Sequence, residues 1–190
     1  RVPWVYDEEA VDVLRFFTKL KLSLLPYLYS SAVETSRTGI PVMRSMALEF
    51  PEDRNCDYLA TQYMLGDSLL VAPVFNEEGM AEYYLPEGTW TNFLTGETRR
   101  GGRWYREKHG YLSIPLYAKE SSVVAVGACH DGPEYDYAKD VNFRVYAPGD
   151  GEEAGTVVYN GKCEQDTLIQ VERRGDAYRI DVTGDKPCKV

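Results

Sequence analysis

The sequence predicts a mainly β protein with an N-terminal α/β part, on the basis of two observations. After Asp67, short runs of β-branched and aromatic residues alternate with Gly, Pro, Asn and Asp, and about nine such runs can be recognised. The first third of the chain instead carries a long amphipathic pattern with a helical period. Because no helical crossovers separate the β runs, we expect antiparallel sheets packed face to face rather than a parallel sheet.

The amphipathic pattern predicts a helix that starts near Asp7, where acidic residues suit the positive end of the helix dipole. Its apolar face is formed by residues at helical spacing: Val13, Phe16, Phe17, Leu20 and Leu24. Pro26 lacks an amide hydrogen and should break or kink this helix, and Gly39 should end it. We therefore expect two helices, or one helix with a kink.

The rest of the chain is predicted to be a series of strands. Residues 41–50 (PVMRSMALEF) have the pattern of a strand, and residues 53–64 could form a short helix that Gly66 ends. The later β runs are SLLVAPVF, AEYYL, TWTNF, GYLSIPL, SSVVAV, NFRVYA, GTVVY, TLIQVE and AYRIDV. Residues 127–140 have no periodicity and are rich in Gly and acids, which indicates a domain boundary.

Composition and motifs exclude several classes of function. A net charge of -9 argues against nucleic acid as a partner, and no apolar stretch is long enough to cross a membrane. There is no Gly-rich phosphate loop, and we predict no cofactor. The first residues show neither an initiator Met nor a signal-peptide pattern, so we expect the natural start to lie upstream.

Cysteine usage predicts neither a metal site nor a disulfide framework. The cysteines are Cys56, Cys129, Cys163 and Cys188, and none lies at the short spacing typical of zinc or redox motifs. Four scattered cysteines favour free thiols and a reducing compartment, and we expect a cytoplasmic protein.

Four acids lie close enough in sequence to be considered as a catalytic pair of carboxylates. They are Glu49, Asp53, Asp57 and Asp67. Asp53 stands where a helix cap is expected and Asp67 lies at a turn before a strand, so both fit structural roles. Glu49 follows a predicted strand, as active groups of barrel folds do, but a structural role is preferred for it too.

His109 and His130 are the only histidines that a catalytic triad could use. Cys129 precedes His130 directly, but neighbouring residues on an extended segment point to opposite faces and do not form a nucleophile–base pair. His130 is therefore expected in a surface loop. His109 lies among Trp104, Tyr105 and Tyr111, so it could line a sugar platform or end a hairpin, and the hairpin is preferred.

Three tryptophans and fifteen tyrosines leave two possibilities open. Exposed rings could stack on sugars, as in carbohydrate-binding modules, whereas buried rings would fill the cores of small sandwiches. Core packing is preferred, and we expect Trp90 to be buried.

Several stretches resemble glycoside hydrolase family 31. RVPWVYDEEA and RFFTKLKLSLLPYLYS are similar to the helical region after the seventh barrel strand of that family, and MRSMALEFPED to its eighth strand and loop. GDSLLVAPVF, YYLPEGTWTNFLTGE and HGYLSIPLYAKE resemble its proximal β-sandwich. Within the family, RVPWVYD, CDYLATQYMLGDSLLVAPVF and YLPEGTW are most similar to bacterial α-xylosidases.

The resemblance implies three domains. Residues 1–65 would be the C-terminal end of a (β/α)8 catalytic barrel, with its helices and last strand. Residues 66–126 would be the proximal β-sandwich, and residues 127–190 the distal β-sandwich, in complete or truncated form.

The resemblance also implies an activity, which is retaining hydrolysis of α-xylosides or α-glucosides by two aspartates on earlier barrel strands. The WTDFGE-like or KTDFGE-like nucleophile motif is absent, and so is the substrate-contacting histidine that usually precedes the RVPW-like segment. No catalytic, substrate-binding or metal-binding residue is therefore assigned, and the chain alone is expected to be inactive. The full-length enzyme would bind an α-linked oligosaccharide.

Two other functions stay open. The chain could be a non-catalytic carbohydrate-binding or structural β-sandwich module, or a hydrolase in its own right that uses Glu49 with Asp53 or Asp67. In a fragment, the predicted helix would lack its barrel partner, so we expect its apolar face to pack on the sandwich or on a second copy of the chain. A homo-oligomer is expected on this ground.

Overall fold

The computed structural model describes residues 2–190. Its α-helices are α1 (Glu8–Ser23), α2 (Leu25–Thr38) and α3 (Met46–Glu49), and 3-10 turns cover Pro3–Val5 and Arg54–Cys56. The first eight strands are β1 (Met43–Arg44), β2 (Tyr63–Leu65), β3 (Leu69–Val71), β4 (Met80–Leu85), β5 (Thr89–Asn92), β6 (Thr98–Arg100), β7 (Arg103–Lys108) and β8 (Leu116–Lys119). The remaining strands are β9 (Ser122–Val126), β10 (Val141–Tyr146), β11 (Glu153–Tyr159), β12 (Gln165–Arg174), β13 (Ala177–Thr183) and β14 (Cys188–Lys189).

The strands form four sheets. A large sheet has the order β1-β2-β3-β8-β5-β6, and β4 and β7 form a two-stranded outer ribbon. A middle sheet has the order β14-β10-β9, and a last sheet the order β11-β12-β13. The pairings are antiparallel except that of β10 with β14, which is parallel. The predicted mainly β fold with antiparallel sheets is confirmed.

The large sheet is buried on both faces, because its strands send alternate side chains to opposite sides. Leu70 of β3 and Tyr117 of β8 pack against the outer ribbon, in a core that also contains Trp90. Their neighbours Leu69 and Leu116 belong to a second core, on the side of the helices. The large sheet therefore forms the central layer between the outer ribbon and the helices.

Strand β9 connects the helical core with a third core. Val124 of β9 packs in the core that contains the helices, whereas Val123 and Ala125 pack between the middle and last sheets. The boundary predicted after residue 126 thus falls directly after β9, which pairs with β10. The division into three domains stays a prediction.

The two-helix prediction is confirmed. Helix α1 ends at Ser23 with Leu24 as its C-cap, α2 carries Pro26 in its first turn, and Gly39 caps α2 in the left-handed conformation at φ 79°. Asp7 caps α1 by accepting a hydrogen bond of 2.7 Å from the amide of Ala10.

Only the C-terminal end of α1 packs on the β part. Leu24 is buried in the helix-side core, and Leu20 packs against it. Nearer the N-terminus, Val13 and Phe17 are half-buried and Phe16 is exposed. The apolar face of the helix is thus covered by the sheet at one end and open at the other.

Three local predictions were wrong. Residues 41–50 form only the short strand β1 and helix α3, because Ser45 accepts a hydrogen bond from the amide of Leu48 and starts a helical turn. Residues 53–64 contain a 3-10 turn and most of strand β2 instead of one helix. The run GYLSIPL is mostly loop, and its strand begins only at Leu116.

The barrel part of the predicted fold is not present in this chain. Strand β1, expected to be a barrel strand, pairs antiparallel with β2 at the edge of the large sheet. A barrel strand would pair in parallel with its neighbours. None of the helices in residues 2–190 combines the length and hydropathy that a membrane crossing needs.

Candidate functional site

Two of the four acids singled out in the sequence lie at the same cleft. Glu49 and Asp53 both line this open cleft of about 590 Å³, together with Tyr84. Glu49 forms ion pairs with Arg44 (2.9 Å) and Lys119 (3.5 Å), and its side chain is only 16% exposed. These two cations fix the Glu49 carboxylate and tie α3 to β1 and β8.

Asp53 has the structural role that its position predicts. Its carboxylate caps the Arg54–Cys56 turn by accepting hydrogen bonds from the amide of Asn55 (3.0 Å) and from its side chain (2.9 Å). The hydroxyl of Tyr84 donates a third hydrogen bond of 2.8 Å. Burial would raise the pKa of Asp53, but these hydrogen bonds outweigh it and lower the pKa below its usual value. A carboxyl with a lowered pKa is a poor proton donor at neutral pH.

The other two acids lie outside this cleft. Asp57 is exposed just after the 3-10 turn. Asp67 accepts a hydrogen bond of 2.7 Å from the hydroxyl of Ser68 and lies 3.5 Å from the hydroxyl of Tyr27. Tyr27 also donates to the carbonyl of Leu65 at 2.5 Å, so this group fixes the β2–β3 turn to α2. The structure therefore does not bring the four acids together.

His109 directly follows β7 at the end of the ribbon. The strand paired with β7 is β4, and β5 and β6 lie between them in sequence, so the ribbon is not the hairpin that was preferred for His109. The Nδ1 of His109 lies 2.7 Å from the hydroxyl of Ser113, and its buried Nε2 has no hydrogen-bond partner among residues 2–190. The nearest carboxylate to Nε2 is that of Glu107, at 3.9 Å. Burial lowers the pKa of His109, so the neutral imidazole is favoured.

Glu107 belongs to a polar network inside the sandwich. It accepts a hydrogen bond of 2.8 Å from Tyr83 and is paired with Arg99, while the hydroxyls of Tyr83 and Tyr117 are 3.0 Å apart. Burial raises the pKa of Tyr83 strongly, and hydrogen bonds to Tyr117 and Glu107 add to the effect. Every polar group here has a partner inside the protein, which is typical of a structural network.

Cys129 and His130 do not form a catalytic pair. The sulfur of Cys129 faces the carbonyl of Gly132 at 3.9 Å, and the exposed ring of His130 lies 3.8 Å from the carboxylate of Asp131. All four cysteines carry free thiols. Within residues 2–190, no cluster of three or more His, Cys, Asp or Glu side chains is suited to a metal ion.

The aromatic residues divide into two groups. Eight rings are buried: Tyr27, Tyr83, Tyr84, Trp90, Phe93, Tyr117, Phe143 and Tyr159. Trp104 of the ribbon and Phe75 of the β3–β4 loop are exposed instead and line one cleft with Glu82 and Arg106. Of these four residues, the sequence analysis considered only Trp104. Alternation along β7 could have shown that Trp104 and Arg106 share a face.

Two family comparisons together cover most of the chain. Residues 39–124 match the glycosyl hydrolase family 31 C-terminal domain, and residues 136–190 match the C-terminal domain of alpha-xylosidase YicI. The first match covers the whole large sheet and the outer ribbon, and the second covers the last sheet and two of the three strands of the middle sheet.

Individual relatives agree with these matches. Alpha-xylosidase XylQ of Lactiplantibacillus pentosus is 40% identical over 97% of this chain and 24% of its own length. An alpha-xylosidase of Emericella nidulans is 40% identical over 90% of the chain and 21% of its own length. A solved dextranase of this family from Flavobacterium johnsoniae, in complex with glucose, superposes with a TM-score of 0.84 at 28% identity, over 94% of this chain and 23% of its own.

The chain thus spans about a quarter of the length of the relatives it matches and corresponds to their C-terminal β part. The sequence matches, the antiparallel sheets and the superposition agree. The chain belongs to glycoside hydrolase family 31, of which it represents the C-terminal region.

Proposed function

We propose that this chain is the C-terminal part of a retaining α-glycosidase that removes terminal α-xylosyl or α-glucosyl residues from α-linked oligosaccharides. The observation that carries the proposal is the 40% identity with alpha-xylosidase XylQ over 97% of the chain. In such an enzyme one carboxylate attacks the anomeric carbon while a carboxylic acid protonates the leaving group, and water then hydrolyses the glycosyl-enzyme.

The catalytic carboxylates are proposed to lie outside this chain, on a (β/α)8 barrel. The structural contacts that Glu49 and Asp53 make in this chain support this location. Glu49 is held by two cations, and Asp53 accepts three hydrogen bonds from Asn55 and Tyr84. Neither carboxylate is free to act as nucleophile or acid without disrupting the local fold.

The N-terminal segment is proposed to contact that barrel. Trp4, Val5 and Tyr6 are between 62% and 72% exposed, and Leu14 and Phe16 of α1 are 49% and 40% exposed. Such a concentration of exposed large apolar side chains in one segment is typical of a contact between domains or chains. The role proposed for this region is therefore support and quaternary contact.

A carbohydrate-binding module without a catalytic partner is the weaker candidate. Among residues 2–190, eight aromatic rings are buried in the cores, and the exposed rings, such as those of Tyr58, Trp104 and Tyr178, lie on separate segments. Buried rings are expected of a support region, whereas a binding module would carry a row of exposed rings. We also propose that the protein is cytoplasmic, which the free thiols support, and that it is a homo-oligomer. In the 190-residue chain, where the proposed barrel partner is absent, the exposed apolar side chains of the N-terminal segment would be available for contact with a second copy. Fractionation would test the compartment, and size-exclusion light scattering the oligomeric state.

The test of the enzymatic proposal is hydrolysis of p-nitrophenyl α-xyloside and α-glucoside. It compares the 190-residue chain with a longer natural chain that includes the preceding region. Activity in the longer chain alone is expected. Activity in the short chain that Glu49→Gln abolishes would instead mean that the catalytic site lies here, and an inactive longer chain would argue against the enzyme.

A further inference from the structure

The outer ribbon has one face without a covering layer. The β4–β7 register places Tyr84 opposite Trp104 and Glu82 opposite Arg106, so these four side chains project from the same face. The opposite face carries Tyr83 into the large-sheet core. Tyr84 is buried at one end of the outward face, whereas Trp104, Glu82 and Arg106 are exposed.

A cleft lies over the exposed part of this face. Its walls come from the ribbon, from the β3–β4 loop and from the segment before β2, and it is lined by Thr61, Pro73, Phe75, Asn76, Met80, Ala81, Glu82, Trp104 and Arg106. Its volume is about 360 Å³. This volume lies within the range of about 300 to 1,000 Å³ that small-molecule sites occupy.

The aromatic wall of the cleft is held rigidly. The ring centroids of Trp104 and Tyr84 are 5.5 Å apart. Tyr84 is fixed by its hydroxyl, which donates to Asp53 at 2.8 Å, and by two hydrogen bonds between its backbone and the side-chain amide of Gln62, at 2.7 and 2.8 Å. Trp104 nevertheless remains 48% exposed, so a preorganised ring is presented to the solvent.

The opposite wall is fixed as well. The amide of Asn76 accepts from the backbone N–H of Met80 at 2.8 Å and donates to its carbonyl at 2.6 Å, which closes the loop on the start of β4. Phe75, next to this anchor, is 72% exposed. Two aromatic rings on separately anchored segments therefore line the same cleft.

The charged groups of the cleft are Glu82 and Arg106. Among residues 2–190, the side chains of Glu82 and Arg106 form neither a hydrogen bond nor an ion pair, although they lie directly opposite each other. A carboxylate accepts hydrogen bonds and a guanidinium donates them. The pair can therefore bind one hydroxyl group that donates and another that accepts. Their charges cancel, which favours a neutral ligand over an ion.

We propose that this cleft binds a neutral oligosaccharide, with one sugar ring against Trp104 and its hydroxyls on Glu82 and Arg106. A sugar ring combines an apolar C–H face with a rim of hydroxyls, and the cleft provides a matching aromatic wall and polar pair. No bond of the sugar is broken here. The site is thus a binding surface additional to the proposed catalytic function, and either can fail without the other.

The test is a titration of the 190-residue chain with maltotriose and with isoprimeverose. Binding is measured by calorimetry and, in NMR spectra, by the indole N–H resonances of the tryptophans. Saturable binding is expected, with a shift of the Trp104 resonance and none for exposed Trp4 or buried Trp90. Trp104→Ala should weaken binding by about tenfold or more, equivalent to about 1.4 kcal/mol. Tyr111→Ala, which removes a 74% exposed ring outside this cleft, is the matched control and should leave binding unchanged.

The polar pair is tested separately. Glu82→Gln keeps the shape of the side chain and removes its charge, and Arg106→Gln removes the guanidinium but keeps a shorter polar side chain. Each should weaken binding, while the melting temperature stays close to that of the parent. The proposal is overturned if neither sugar binds up to about 10 mM, beyond the millimolar end of the affinity scale. It is also overturned if Trp104→Ala binds like the parent, if Tyr111→Ala loses binding equally, or if Trp104→Ala instead changes the oligomeric state, since the cleft would then be a protein contact.

Discussion

Replacement of Trp90 by alanine should destabilise the chain severely. Trp90 is 1% exposed, lies in β5 between β8 and β6, and packs in the core beneath the outer ribbon. Its ring centroid is 6.2 Å from that of Phe50, and its indole N–H donates a hydrogen bond of 2.8 Å to the carbonyl of Pro86. The side chain therefore contributes both apolar burial and a buried hydrogen bond.

Two terms set the magnitude. Truncation of a buried tryptophan to alanine costs about 3 to 5 kcal/mol, because the lost burial and the cavity both count. For a chain of this size, each kcal/mol lowers the melting temperature by about 2 to 4 °C. The melting temperature of Trp90→Ala should thus fall by about 6 to 20 °C. Trp90→Phe keeps most of the ring but leaves the Pro86 carbonyl unpaired, which costs about 1 to 3 kcal/mol, so it should lie in between.

Thermal and urea unfolding followed by circular dichroism would measure these effects. Tyr111→Ala serves as the surface control, and its effect should stay within about 0.5 kcal/mol. A Trp90→Ala variant as stable as this control would refute the reasoning, since it would place Trp90 outside the core. Equal stability of Trp90→Phe and the parent would show that the hydrogen bond to Pro86 contributes nothing.

Three further predictions concern a turn, a cap and a surface. Gly66→Ala should be clearly less stable than Gly96→Ala in thermal unfolding. Both glycines have positive φ (64° and 79°), but only at Gly66 would an added Cβ meet another residue, at 2.2 Å from the hydroxyl of Tyr27. Equal losses of stability in the two variants would contradict this steric argument. The pKa of Asp53 is lower in the folded state, so its contribution to folding stability is full above the unfolded pKa of about 3.9 and is lost as pH falls toward the folded pKa. The parent should therefore lose more stability between about pH 5 and 3 than Asp53→Asn. Parallel pH profiles of the two proteins would contradict this. Leu14→Asp should reduce self-association of the 190-residue chain, measured by light scattering, without lowering its melting temperature. The reason is that Leu14 is 49% exposed on the open part of α1. Unchanged self-association would show that the contact between copies lies elsewhere.

Helices α1 and α2 and most strands could be predicted because their signals are local. Pro26 and Gly39 act through their own backbone restrictions, and the structure breaks and ends the helices at these residues. The segment from residue 41 to 50 carries conflicting signals. Its apolar residues suit a strand, but Ser45 is a local cap that accepts a hydrogen bond from the Leu48 amide and starts a helical turn. The ion pair of Glu49 with Lys119 joins the segment to β8, and this distant contact could not be predicted from a local pattern.

The candidate site shows the same limit for acidic residues. The sequence placed Asp53 at a cap and Asp67 at a turn, and the structure agrees with both interpretations. It could not show that Tyr84, about thirty residues away, completes the cap of Asp53. This contact requires the outer ribbon to fold over the Arg54–Cys56 turn, and no local pattern encodes that arrangement.

Trp90 and Trp104 show why the binding cleft could not be found from sequence alone. Both residues lie in strands with alternating side chains, and alternation states which residues share a face but not which face is covered. The face of β5 that carries Trp90 lies in the core beneath the outer ribbon, whereas the ribbon's own outer face has no further layer over Glu82, Trp104 and Arg106. The exposure of Trp104 is therefore a consequence of layer order. If that outer face were instead an interface to the rest of a longer chain, Trp104→Ala would destabilise the longer chain more than the 190-residue chain, whereas a sugar site predicts equal and small effects in both.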